Sequence, residues 1–171
     1  ANRQDAARPG HAGHADAVEK QARVIQLIRS YRVRGHLAAH LDPLGTEPAA
    51  QPELDPAEYG FTIWDLDRKF LSGGLAGEKG SLPLREILDI VRETYCRHVG
   101  VEFYHIPEPE VRRWLEERME RSRNADPLPR DAQARILAKL NAAEAFERFL
   151  HATYVGHKRF SLEGAETLVP V

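Results

Sequence analysis

The chain has 171 residues, of which 42% are hydrophobic and 29% are charged, a composition typical of a folded globular protein. Its formal charge of −2 provides no basic excess for binding nucleic acid or an anionic membrane, and no apolar run approaches the ~20 residues that span a bilayer. The single cysteine, Cys96, excludes an intrachain disulfide and fits a reducing compartment. We therefore expect a cytoplasmic protein that binds neither nucleic acid nor a membrane.

The first helix is predicted to follow a flexible N-terminal segment. Residues 1–17 are small and polar and cannot bury enough apolar surface to order themselves, so we interpret them as a linker or tail. From Val18 onward, large apolar side chains follow the helical i, i+3, i+4, i+7 spacing, at Val24, Leu27, Ile28 and Tyr31. Gly35 is a weak point in this helix, which should end near Asp42 because Pro43 disfavours helical geometry at the residue before it.

The middle of the chain is predicted to alternate between irregular connections and further helices. Prolines make residues 45–58 a loop, and the apolar stretch 58–70 should form short turns or strands. Ser81 and Pro83 predict the start of a second helix that runs to Tyr95, since serine caps helices and proline suits their first turn. A third helix is marked by the apolar residues Val111, Trp114, Leu115 and Met119.

The last part of the chain is predicted to contain two further helices, followed by a short strand and a turn. Asp131 can cap a fourth helix, and Asn141 can start a fifth, whose inward residues would be Ala145, Phe146, Phe149 and Leu150. Residues 157–164 suggest a short strand and a turn, and the chain then ends inside an apolar run, as a truncated sequence would. We therefore predict a mainly α protein, with a small bundle of four to five helices and Pro-rich connections over residues 18–153 and a new element over residues 154–171.

The sequence lacks the short motifs of the common catalytic classes. It contains no Gly-rich dinucleotide or phosphate loop, nucleophile elbow, zinc-protease motif or Cys-x-x-Cys pair. Cys96 lies at the edge of a helical stripe with no identifiable base, which favours core packing over nucleophilic chemistry. His36 and His40 could share a helix face as two metal ligands, but no third ligand follows at a recognisable spacing. We interpret both as packing or helix-end residues and predict no metal site.

Aromatic and basic residues leave two alternatives open. Scattered aromatic residues usually pack in a core, although they could also form a binding surface. The residues concerned are Trp64, Phe103, Tyr104 and Trp114. A basic cluster of His157, Lys158 and Arg159 stands beside Phe160. It could attract a carboxylate, because arginine offers two parallel donors, or it could be the solvated basic end of a strand.

A series of short sequence segments resembles one enzyme family. It comprises LIRSYRVRGHL from Leu27, LDPL from Leu41, WDLDRKF from Trp64, Gly73–Gly74, LREIL from Leu84, Tyr95–Cys96, GVEFYHI from Gly100, RRWL from Arg112 and KRFSLEG from Lys158. In this order, over residues 18–171, the series is similar to the N-terminal part of the thiamine-diphosphate-dependent first component of the 2-oxoglutarate dehydrogenase complex. The sequence of these segments resembles the actinobacterial multifunctional 2-oxoglutarate decarboxylase type.

The resemblance implies a role in the tricarboxylic acid cycle. It implies decarboxylation of 2-oxoglutarate on thiamine diphosphate with Mg²⁺, transfer of the succinyl fragment to a lipoyl group on a partner acyltransferase component, and a homodimer of much longer chains. This segment would be the helical region before the first cofactor-binding α/β domain, with the opening strand of that domain in residues 154–171. The family's His-Arg-Gly-Arg and Gly-Asp-Gly motifs are absent, so we expect the chain alone to bind neither cofactor, to contain no catalytic residue and to be inactive.

The resemblance implies a substrate-binding role for two residues of this chain. Arg159 would hold a carboxylate of 2-oxoglutarate, and Phe160 would pack on its carbon chain. His157 stands where Gln is more familiar, and Ala165 stands where many members have a second Gly, which puts a positive φ at Ala165 in question. The alternative function is a stand-alone helical protein-interaction module, and a nucleic-acid binder that uses the arginines of the first helix is a weaker third.

Overall fold

The computed structural model describes residues 9–42, 44–125, 127–158 and 164–169, and within them the protein is mainly helical, as predicted. Its regular elements are α1 Pro9–Arg34, β1 Lys69–Leu71, β2 Ser81–Pro83, α2 Leu84–Tyr95, α3 Pro109–Ser122 and α4 Arg130–Thr153, with short 3₁₀ turns in the connections. The chain divides into two compact units, Ala1–Asp126 and Pro127–Val171. The domain boundary expected after residue 153 stays a prediction.

Helix α1 begins and ends earlier than the sequence pattern predicts. It starts at Pro9, within the segment interpreted as a linker, and ends at Arg34, where a 3₁₀ turn over Gly35–Ala38 follows. The expected start at Val18 and end near Asp42 are therefore wrong. A helix with a packed section extends readily, because each added residue gains a hydrogen bond. The predicted apolar stripe is confirmed, since all of its members are buried, namely Val24, Leu27, Ile28 and Tyr31.

Gly35 ends α1 where the last residue of α2 passes close by. It is buried, and a Cβ built on it would lie 2.5 Å from the Cβ of Tyr95. Carbon atoms make favourable contacts near 3.5–4.0 Å, so any larger residue at this position would force the two segments apart. The weak point that the sequence predicts is thus a position of close helix approach.

Strands β1 and β2 form an antiparallel hairpin in which Phe70 pairs with Leu82. The predicted helix start at Ser81 is therefore wrong, and α2 begins at Leu84. The reason lies in the connection, where the N–H and the hydroxyl of Ser72 both donate to the carbonyl of Gly80 and hold the following residues extended. The short turns and strands expected over residues 58–70 are confirmed by a 3₁₀ turn at Ile63–Asp65 and by β1.

The core of the first unit lies between α1, α2, the hairpin and the irregular connections. Aromatic pairs order part of it. Phe61 meets Phe70 edge to face with 5.8 Å between ring centroids, and Phe103 stacks on Tyr95 at 6.3 Å. Because such pairs add specific geometry to apolar burial, they fix the connection after α2 against the end of that helix.

The second unit is dominated by α4, a single helix where the sequence predicts two. Asn141 does not interrupt it, because the alanines that follow favour helix strongly. Phe146 and Phe149 are 60% and 55% exposed, and no residue of α4 is buried among the described residues. Their predicted inward orientation is therefore wrong, since the described part of this unit supplies no second α-helix to cover them.

Beyond α4, the strand and turn predicted over residues 157–164 fall largely outside the described residues. A 3₁₀ turn at Glu166–Leu168 follows, and Leu168 is exposed. In the ranges that the structure describes, no helix has the length and apolarity needed to cross a membrane.

Candidate functional site

The two residues predicted to contact a substrate, Arg159 and Phe160, lie outside the described residues. The chain that leads to them is anchored by aromatic contacts. The ring of His157 meets that of Tyr154 edge to face at 6.1 Å, and Tyr154 meets Phe149 in the same way at 6.5 Å. These contacts hold the residues that precede the predicted site against the end of α4.

The turn after the predicted site answers the question raised by Ala165. Gly164 has a φ of +82°, whereas Ala165 has a φ of −127°. The N–H of Gly164 donates to Oε1 of Glu166 at 3.0 Å, which closes the turn. The left-handed residue is therefore the glycine, and an alanine at the next position introduces no backbone strain.

Cys96 is a poor nucleophile in this structure. It packs against the hydrophobic core of the first unit, as predicted. Burial raises the pKa of its thiol to about 11, and the nearby charge of Arg92 offsets only part of that rise. Because the thiolate is the reactive form, the thiol at neutral pH is inert.

His36 and His40 do not share a helix face, because α1 ends before both. Nε2 of His36 lies 3.3 Å from Glu102, and Nδ1 of His40 lies 3.6 Å from Glu47. Each histidine thus faces a different acidic residue. No group of three or more His, Cys, Asp or Glu that could hold a metal occurs among the residues that the structure describes.

Of the four aromatic residues that could belong to the core or to a binding surface, two lie in the core and two lie at the surface. Phe103 is buried and Tyr104 is half-buried, which confirms their expected place in the core. Trp64 and Trp114 are 82% and 59% exposed, so the core interpretation is wrong for both tryptophans. Trp64 lies in a surface 3₁₀ turn, and Trp114 lies on α3 beneath the guanidinium of Arg118.

A buried carboxylate that is not among the predicted site residues lies inside the first unit. Glu120 of α3 is 1% exposed. Its two oxygens accept hydrogen bonds from Nε and Nη2 of Arg32 at 2.7 and 3.0 Å, from the hydroxyl of Tyr95 at 2.8 Å and from the N–H of Ala76 at 2.9 Å. These four residues, called here the Glu120 cluster, join α1, α2, α3 and the turn within the hairpin connection.

The electrostatics of the Glu120 cluster favour the protonation states in which Arg32 and Tyr95 donate hydrogen bonds to Glu120. Burial disfavours the charge on Arg32, but the hydrogen bonds and charges of Glu120 and Glu116 outweigh burial and raise the pKa of Arg32. Burial and then Glu120 raise the pKa of Tyr95, so its hydroxyl stays protonated and donates. Ala76 adopts a left-handed φ of 56°, a strained conformation for a residue with a Cβ, which its charge-assisted hydrogen bond to Glu120 helps to offset.

One sequence signal could have pointed to this cluster. The glutamates of α3 are interspersed with arginines, as on a solvated helix face, whereas Tyr95 falls on the apolar stripe of α2. A tyrosine hydroxyl in a core needs a hydrogen-bond partner, and an acidic residue on a neighbouring helix is a suitable one.

A second buried carboxylate holds the surface turn at Ile63–Asp65. Asp65 is 2% exposed and accepts hydrogen bonds from Nζ of Lys20 at 2.7 Å, Nη1 of Arg68 at 2.8 Å, and the N–H and hydroxyl of Thr62 at 3.0 and 3.1 Å. Burial raises the pKa of Asp65, but these donors outweigh burial and hold it well below its usual range. We call these residues the Asp65 cluster.

Both buried carboxylates already have their donors in place, so neither offers a free acceptor for a substrate proton or a metal. Acid–base catalysis requires a group that can reach the reacting atom. The two carboxylates therefore serve to position the elements that their clusters join.

Comparison with known proteins gives the chain close relatives. No protein-family model matches it. It is 53% identical over 160 residues to the multifunctional 2-oxoglutarate metabolism enzyme of Mycolicibacterium vanbaalenii and 51% identical to that of Mycobacterium sp. strain JLS. It is 48% identical over 160 residues to the 2-oxoglutarate dehydrogenase E1/E2 component of Corynebacterium glutamicum.

These alignments cover 90–91% of this chain but only 12–13% of the relatives. The chain thus spans about an eighth of the length of the curated relatives it matches. The resemblance predicted from the ordered segments is confirmed over nearly all of the chain.

Proposed function

We propose that this chain, whose sequence corresponds over about nine tenths of its length to a segment of multifunctional 2-oxoglutarate metabolism enzymes, is the helical scaffold region of a 2-oxoglutarate dehydrogenase or decarboxylase. The observation that carries this proposal is an identity of 48–53% that extends across both units. The buried polar clusters support a scaffold role, because the Glu120 cluster fixes three helices and a turn in one arrangement.

The whole enzyme, in this proposal, is a cytoplasmic homodimer that uses thiamine diphosphate with Mg²⁺ and passes succinyl to the lipoyl group of an acyltransferase component. The cofactor supplies the carbanion chemistry of decarboxylation. The described residues of this chain do not fit that cofactor, because Asp65 and Glu120 are saturated with donors and no metal-ligating group of three occurs among them. The cofactor would therefore be held by other parts of the enzyme.

The proposed contact of this segment with substrate is at Arg159 and Phe160. A guanidinium can hold a carboxylate of 2-oxoglutarate through two parallel N–H donors, and an aromatic ring can cover the carbon chain between the carboxylates. The anchoring of His157 on Tyr154 supports this role, because it restrains the chain next to these two residues. Such restraint lowers the entropy cost of placing a clamp.

The test is the substitution Arg159→Met in a full-length 2-oxoglutarate-decarboxylating enzyme that carries this segment. Methionine keeps much of the side-chain volume but removes the charge. We expect the KM for 2-oxoglutarate to rise by about tenfold or more, because a charge-assisted bidentate contact is lost. The matched control is Arg148→Met, which removes an exposed arginine of α4 whose partner is Glu144. An unchanged KM in Arg159→Met would refute the assignment.

The isolated chain is expected to be inactive. When purified and supplied with thiamine diphosphate, Mg²⁺ and 2-oxoglutarate, it should release no CO₂ above the blank. Measurable turnover would show that the chain holds the cofactor itself and would contradict the scaffold proposal.

A stand-alone interaction module is the second candidate, and the exposed aromatic residues of α4 are the observation that favours it. The coding sequence after Val171 separates the two proposals. Continuation into His-Arg-Gly-Arg and Gly-Asp-Gly motifs supports the enzyme, whereas a stop codon at that point supports the module.

A further inference from the structure

A cleft of about 390 Å³ lies between α1 and α3 and adjoins the Glu120 cluster at Arg32. Each helix contributes one face to it. The residues from α1 are Ile25, Ile28, Arg29 and Arg32, and those from α3 are Pro109, Arg112, Arg113 and Glu116. Both sets follow the i, i+3, i+4, i+7 spacing, so the cleft has two regular helical walls.

The charge of this cleft differs in sign from that of the whole chain. Its lining includes four arginines and one glutamate, on a chain whose formal charge is −2. The glutamate, Glu116, is already engaged, since it lies 3.3 Å from Nη1 of Arg32 and accepts a hydrogen bond from the hydroxyl of Tyr104 at 2.9 Å. Arg32 is in turn paired with Glu120.

The remaining arginines differ in how firmly they are held. Arg112 is fixed in place, because its guanidinium donates to the carbonyls of Ile106 and Pro107 and lies over the ring of Tyr104. Arg29 and Arg113 are exposed, and no carboxylate among the described residues forms an ion pair with either. Two uncompensated guanidinium groups thus belong to opposite walls of one cleft.

The rest of the cleft offers apolar contact. Ile25 is 42% exposed, and the turn at Ser72–Gly73 packs against it so tightly that a Cβ on Gly73 would lie 2.8 Å from its Cδ1. The first turn of α3, at Pro109, also lines the cleft. Small-molecule sites commonly combine such a volume, an apolar wall and a few convergent polar groups.

We propose that the cleft between α1 and α3 binds a small organic anion, whose carboxylate or phosphate groups bridge Arg29 and Arg113 while its carbon body lies against Ile25. Guanidinium groups bind both kinds of anion through paired N–H donors, so this chemistry is shared by dicarboxylates and by phosphorylated metabolites. The inference is independent of the proposed enzymatic function, because it concerns residues that have no part in it.

The test is a calorimetric titration of this chain with two probes at low ionic strength, glutarate as the dicarboxylate and inorganic pyrophosphate as the phosphate. We expect saturable binding of at least one probe at millimolar concentration or below, and a preference between them identifies the anionic group. Arg29→Gln and Arg113→Gln should each weaken binding by about tenfold, because each removes charge-assisted donors. Added salt should weaken binding as well.

The matched control is Arg118→Gln, which removes an exposed arginine from another face of α3. It should leave the affinity unchanged, and the circular dichroism of all three variants should match the parent chain because the substituted residues are exposed. Absence of binding by both probes would overturn the proposal. An equal loss of affinity in Arg118→Gln would also overturn it, since it would show a diffuse effect of charge.

Discussion

Glu120 in the first unit and Phe146 in the second have environments opposite to their polarity. The charged residue is 1% exposed, whereas the aromatic residue is 60% exposed. Glu120 is buried because Arg32, Tyr95 and Ala76 supply it with four hydrogen bonds. Phe146 is exposed because the described residues of its unit provide no second α-helix to cover it. The presence of partners, more than the polarity of a side chain, determines its burial here.

Removal of the buried carboxylate should break the first unit most severely. Glu120→Ala leaves the charge of Arg32 buried without its closest partner and orphans the hydroxyl of Tyr95. We expect the free energy of unfolding to fall by about 3–5 kcal/mol, as when one member of a buried ion pair is lost. Urea unfolding followed by circular dichroism measures this change.

The control for that substitution is Glu117→Ala, three residues earlier on α3, where the glutamate is exposed. It should change the free energy of unfolding by less than about 0.5 kcal/mol. Similar losses in Glu117→Ala and Glu120→Ala would mean that the Glu120 cluster does not hold the unit together.

Close packing in the first unit can be tested at Gly35. In Gly35→Ala the new methyl group would meet Cβ of Tyr95 at 2.5 Å, and the end of α1 must shift to admit it. We expect a loss of about 1–3 kcal/mol, which is typical of overpacking. Gly80→Ala is the control, because a Cβ there meets nothing within 4 Å. A neutral Gly35→Ala would show that α1 and α2 approach less tightly than the structure indicates.

The Asp65 cluster adds a pH-dependent contribution of smaller size. Its donors hold the pKa of Asp65 below that of an unfolded chain, so the stabilisation is complete above about pH 4 and declines as the pH falls further. We expect Asp65→Asn to cost about 1.5–3 kcal/mol near neutral pH, the range for hydrogen bonds to a charged group. The difference between wild type and variant should shrink below about pH 4.

Asp67→Asn provides the comparison for that experiment, because Asp67 is exposed and its partner Arg85 is exposed as well. Its effect should be small at every pH. A difference between wild type and Asp65→Asn that stays constant down to strongly acidic pH would contradict the role assigned to the cluster.

The sequence predicted what local spacing determines and missed what distant pairing determines. The stripe from Val24 to Tyr31 was predictable because helical spacing specifies which face is buried. The bond between Arg32 and Glu120 was not, because it joins residues 88 positions apart. At Ser81 a local helix-start signal was overridden by pairing with Leu71 across the hairpin.

The candidate substrate residues illustrate a different limit of prediction from sequence. From the residues alone, the solvated basic end of a strand is the favoured interpretation of Arg159, and only the family resemblance singles it out. The cleft between α1 and α3 had no local signal either, because its arginines come from helices about 80 residues apart along the chain, Arg29 on one wall and Arg113 on the other. Convergent charge of this kind becomes visible only once the helices are placed.

The smallest effect is expected at the exposed aromatic face of α4. Phe146→Ala removes a large side chain that makes few contacts in this chain and replaces it with a better helix former. The free energy of unfolding should change by less than about 0.5 kcal/mol. Phe103→Ala, at a position that is 2% exposed, should cost about 3–5 kcal/mol because it leaves a cavity in the core. Comparable losses at both positions would show that a partner covers α4, and the contrast between the two units would then fail.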